Sequence, residues 1–63
     1  MIIELFRGYA IKKRIKGKKW PVYVQYIHGG KIAFTLDYTH ARIYKSEKTA
    51  LKNDKNIPET ITF

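Results

Sequence analysis

Between residues 3 and 15 the chain alternates with a period of two. The odd positions read Ile3, Leu5, Arg7, Tyr9, Ile11, Lys13 and Ile15, and the even ones Glu4, Phe6, Gly8, Ala10, Lys12 and Arg14. Side chains two apart share one face of a strand, so this stretch commits the first quarter of the chain to sheet. Gly8 in its interior, with Arg7 breaking the apolar side, predicts a bend or bulge that splits the run into two strands. Gly17 supplies the next turn.

The following segment, WPVYVQYIHGG, is rich in β-branched and aromatic residues and closes on a Gly-Gly pair that leads into KIAFTL. That is the pattern of a hairpin. Pro21 has no N–H for a ladder, which places the start of this strand at a sheet edge or a bulge. DYTHA interrupts the alternation, and RIYK reads as one more short strand or as the lead into a helix. Ser46 is placed to cap a helix through EKTALKN, with Glu47 in its first turn and Ala50 and Leu51 facing inward. Asn53 or Asn56 ends the helix before Pro58. ETITF alternates again as a last edge strand, with Ile61 and Phe63 inward.

The expected fold is α+β: a small antiparallel β-meander of three to five strands, with one helix in the C-terminal half packed on one sheet face. Residues 1–63 allow one domain. A chain of this size buries only about 60% of the surface that it exposes when unfolded. With no cysteine to staple it, packing must hold it together. No apolar run approaches the roughly 18 residues of a membrane span, and MIIELFRGY is too short for a signal peptide. The expectation is a soluble cytoplasmic protein without contact to membrane.

Parity sorts the residues of a meander onto two faces. One face collects Tyr9, Ile11, Ile15, Trp20, Val22, Val24, Tyr26, Ile32, Phe34 and Leu36, and reads as the core. The other collects Ala10, Lys12, Arg14, Pro21, Tyr23, Gln25, Ile27, Lys31, Ala33 and Thr35, a mixed, basic and partly aromatic surface. The formal net charge is +8, and it is uneven: residues 1–31 hold eight Lys and Arg against Glu4 alone. Residues 11–20, IKKRIKGKKW, hold six of these cations and no acid. Such a distribution favours polyanionic partners.

On the second face Lys12, Arg14 and Lys31 can neutralise phosphates, Tyr23 offers a ring for stacking, and Gln25 can hydrogen-bond base edges. Lys16, Lys18 and Lys19 form a flexible basic tip that extends the reach to a phosphate backbone. The expected partner is therefore DNA or RNA. The alternative is an acidic protein surface, bound through the same patch. An exposed edge at Pro21 or at residues 59–63 also provides for a homodimer by strand pairing.

The order of three strands and a helix, with GKKWPVYVQY, then KIAFT, then an Ala-containing helix, resembles small DNA-binding domains built from a three-stranded sheet and one helix. The arm-binding domains of phage-type integrases and the plant AP2 domain are of this kind. The resemblance implies an exposed sheet face in the major groove, with Lys12, Arg14, Tyr23, Gln25 and Lys31 at the reading positions. The Arg and Trp density of AP2 strands is missing. FTLDYTHARIYKSEKTALK is similar to a pattern of small phage and prophage proteins, some of which inhibit a host or defence enzyme. That similarity implies an acidic host protein as partner.

Catalytic residues are not expected. His28 lies beside the Gly-Gly turn, and Asp37 and His40 can be neighbours, but no nucleophile is marked near them. Asp37 is more simply a turn residue bonding nearby N–H groups. VYVQYI followed by a glycine turn is similar to the opening of GIY-YIG nucleases, whose second tyrosine-glycine motif this chain lacks. Five acids and two His without ligand spacing predict no metal site, and no cofactor is expected.

Overall fold

The alternation resolves into strands whose bounds are set by turn chemistry. The computed structural model describes residues 1–62 of the chain. Strand β1 spans Ile2–Leu5 and β2 Gly8–Ile15, β3 Pro21–His28 and β4 Lys31–Thr35. A 3-10 turn at Tyr38–His40 follows, then helix α1 at Glu47–Asp54 and a short β5 at Thr60–Ile61. The first four strands form an antiparallel meander in the order β1-β2-β3-β4. β5 returns alongside β2 in parallel, with Arg14 opposite Thr60 and Ile15 opposite Ile61. The helix packs on the sheet, as expected for the α+β class.

The expected split near Gly8 occurs at a turn over Phe6 and Arg7, and Gly8 opens the second strand. Glycine is required there by space. A Cβ on Gly8 would lie 2.4 Å from the Tyr44 carbonyl oxygen and 2.9 Å from Ile43 Cγ2, and its φ is 151°. The close approach is made by the segment before the helix. Tyr9 and Tyr44 exchange both backbone hydrogen bonds, at 2.9 and 2.7 Å, and Arg42 N–H donates to the Val24 carbonyl at 2.9 Å. RIYK is thus a single bridge at Tyr44, not the short strand that its alternation suggests. It joins the N-terminal end of β2 to the middle of β3.

Ile11, Val24, Tyr44, Ala50 and Ile57 form the buried core, with Ile2, Tyr9, Ile27, Ile32 and Phe34 packed around it. Three residues that parity assigns to the core face of the sheet are exposed: Trp20 at 52%, Tyr26 at 52% and Leu36 at 65%. The cause for Tyr26 is a bulge. Val24 pairs with Phe34 but Tyr26 with Ala33, so Gln25 is an extra residue in β3 and every side chain after it changes face. Ile27, assigned by parity to the outer face, therefore turns inward beside Ile32. Trp20 precedes β3 and Leu36 follows β4, so neither is held by a ladder.

In the helix, Ala50 is buried and Leu51 is exposed, since the face turned to the sheet carries Ala50, Asn53 and Asp54 at helical spacing. Ser46 caps it, accepting a hydrogen bond from Thr49 N–H at 3.2 Å. Ile61 is partly buried in β5; Phe63 lies outside the described residues. No helix among the described residues is long and apolar enough to cross a membrane.

Candidate nucleic-acid interface

The cations of residues 11–20 divide by parity, and the division decides which of them a ligand can reach. Lys13 shares its side of β2 with Ile11 and Ile15, and its side chain is 1% exposed. Its ammonium is ion-paired with Asp54 Oδ1 and lies 3.4 Å from Glu59 Oε2. It also donates to the Ile57 carbonyl at 2.9 Å. A buried ammonium is tolerated only when its donors are matched in this way. Two of the chain's five acids are thus committed to the inner side of the sheet.

Glu59 meets a second cation, the α-ammonium of Met1, 3.1 Å from its Oε1. The hydrogen bond from that ammonium, then its charge and that of Lys13, hold the Glu59 carboxyl below the usual glutamate value against a smaller desolvation. Asp37 caps the 3-10 turn, accepting from Thr39 N–H at 2.9 Å and Thr39 Oγ1 at 2.6 Å. These bonds, the Thr39 hydroxyl first, lower its pKa, and His40 Nε2 stands 3.8 Å from the other carboxylate oxygen.

The remaining cations of the stretch face the other way, into one hollow. An open groove of about 600 Å³ is lined by Lys12, Arg14, Lys16, Lys18 and Lys19, with Trp20, Pro21 and Thr60 among its walls. Among the described residues, no carboxylate lines it. Thr60 belongs to the groove while its neighbour Glu59 turns toward Met1 and Lys13, as alternation along β5 requires. Lys12 and Arg14 also border a smaller hollow, of about 260 Å³, on the Met1 and Glu59 side.

The tip is shaped rather than loose. Lys18 N–H donates to the Ile15 carbonyl at 3.0 Å, closing a four-residue turn with Gly17 in its third position at a φ of 78°. Tight turns reserve that place for glycine. The Lys18 ammonium then sits 5.5 Å from the centre of the Trp20 ring, over its face. Lys16 N–H donates to the Ile61 carbonyl at 2.8 Å, which ties the tip to β5. Lys12, Arg14, Lys16, Lys18 and Lys19, divided by parity between a sheet face and a detached tip, form a single surface.

Tyr23, Gln25 and Lys31 do not join it. Tyr23 is opposite Lys12 on the outer face, but its ring meets the edge of Tyr38 at 6.4 Å between centroids. The 3-10 turn thus lies against this face, and Ala10, which shares its parity, is wholly buried. The outer side is therefore covered at one end and open at the other. Gln25 is the bulged residue, and Lys31 stands at the β3–β4 turn opposite His28. Trp20, assigned by parity to the core, is the aromatic residue that lines the basic groove. Its signal in the sequence was its position, before Pro21 and after two lysines.

Comparison with known proteins finds no family model, no curated protein and no solved structure that matches this chain.

Proposed function

We propose that the protein is a small binding module that takes nucleic acid in the groove between the β2–β3 tip and β5. One observation carries this reading: five cations from one hairpin line a single concave surface with an exposed indole and, among the described residues, no carboxylate. Like charges held this closely repel one another, and a row of phosphates relieves that repulsion while releasing condensed counterions. Lys12 and Arg14 supply the inner contacts from β2, and Lys16, Lys18 and Lys19 the outer ones from the tip. Thr60 adds a hydroxyl donor. With such a partner the protein is read as cytoplasmic and as a binding module rather than an enzyme.

Fluorescence anisotropy with labelled oligonucleotides at two salt concentrations tests this. Binding to nucleic acid is expected at low salt, weakening steeply as salt rises. With all five groove cations engaged on a single strand, log K should fall with log salt at a slope of about −3.5, from roughly 0.7 per contact. Absence of binding at low salt would overturn the reading and leave an acidic protein surface as the partner to seek.

A further inference from the structure

Resting on that reading, we infer that the ligand is single-stranded and that one of its bases stacks on Trp20. The inference starts from shape. A two-stranded ribbon reads duplex DNA by entering the major groove, about 12 Å wide, with a protruding open face. Here the outer face is closed at one end by the Tyr38 ring against Tyr23. At the other end it is hollow, not protruding. A concave site accepts something that projects into it. Its volume, about 600 Å³, lies within the roughly 300–1,000 Å³ of sites that take a small organic ligand.

Chemistry points the same way. Trp20 is 52% exposed although an indole is among the side chains that gain most from burial. Lys18 stands over one face of the ring, so a base stacks on the opposite face or takes the place of the ammonium, which then turns to a phosphate. In a duplex both faces of each base are already stacked on neighbours, so an indole at a groove wall gains nothing from it. An unpaired base offers a free π-face, and stacking on an aromatic side chain tolerates any base. The surrounding lysines then hold the phosphates on either side. A pairing of stacking platform and basic groove is how sequence-tolerant single-strand sites are built.

Trp20 is the only tryptophan, so its fluorescence reports the contact directly. The protein is titrated at low salt with a twelve-residue oligothymidine, with an abasic strand of the same length and charge, and with a duplex closed at both ends by non-nucleoside linkers, which cover the terminal base pairs. Oligothymidine should quench Trp20 and bind about tenfold more tightly than the abasic strand, which should leave the fluorescence unchanged. The duplex should not quench. Trp20→Ala should remove the preference for oligothymidine over the abasic strand, and Trp20→Phe should keep part of it, both read by anisotropy of labelled strands. Because Trp20 is half exposed and outside the strands, both variants should fold. Equal affinity for all three probes without quenching would overturn the single-strand inference while leaving nucleic-acid binding in place. Binding to none of them would overturn both.

Discussion

The side chain on which the fold depends most is a lysine. Lys13 sits among Ile11, Ile15 and Val22 with its ammonium shared by Asp54, Glu59 and the Ile57 carbonyl. Removing one partner of a buried pair leaves the other unpaired, so Lys13→Met should destabilise the protein by about 3 kcal/mol, measured by urea unfolding. The double variant Lys13→Met with Asp54→Leu should recover part of that loss. Asp54 also ends α1, where a carboxylate faces the negative end of the helix. Its charge is tolerated because Lys13 is there.

Glu59 gives this network its pH dependence. A carboxyl held below its ordinary value stabilises the folded state above that value, 4.5, and the contribution is lost as pH falls through its lowered folded value. Acid unfolding should therefore begin below about pH 4.5, and Glu59→Gln should flatten that limb of the stability profile relative to the parent protein. Lys13 shares odd parity with Ile11 and Ile15, but a charged side chain gave no reason to count it in the core. Its partners were not legible either, because Asp54 and Glu59 are more than forty residues away and only the return of β5 beside β2 brings them close.

Among the elements, those with strong local signals lie where the sequence puts them, and tertiary contacts decide the rest. The Gly-Gly hairpin, the Ser46 cap and the split at Gly8 all have local causes. The bulge at Gln25 has none in the sequence: no glycine marks it, and the alternation runs through it unbroken. It exists because β4 must match Ile32 and Phe34 to Ile27 and Val24, and that match costs one residue of register. Likewise RIYK alternates as a strand does but forms one isolated bridge, Tyr44 with Tyr9, and one bond from Arg42 to Val24. Ser46→Ala should cost about 1 kcal/mol by removing the cap of α1. Gly8→Ala should cost more, because the added methyl meets the Tyr44 backbone. An insertion of this kind into packed structure costs roughly 1–3 kcal/mol, and thermal unfolding would measure both.

At the scale of the molecule, charge is partitioned by the sheet. Asp54 and Glu59 face the inner side and the first strand, where they hold Lys13 and Met1. Among the described residues, the groove on the other side keeps five cations and no acid. That it is basic was legible from composition; that it is concave was not, since the hollow depends on the tip turn and on β5 closing one wall. The most direct measurement compares two variants that each lose three positive charges. One replaces Lys12, Lys16 and Lys19 by Ser in the groove, and the other replaces Lys45, Lys48 and Lys52, exposed lysines around and within α1. The groove variant should bind an oligonucleotide at least tenfold more weakly than the helix variant, with a salt slope reduced by about 2 from roughly 0.7 per lost contact. Equal losses from the two would mean that net charge alone attracts the ligand, and would contradict the groove as its site.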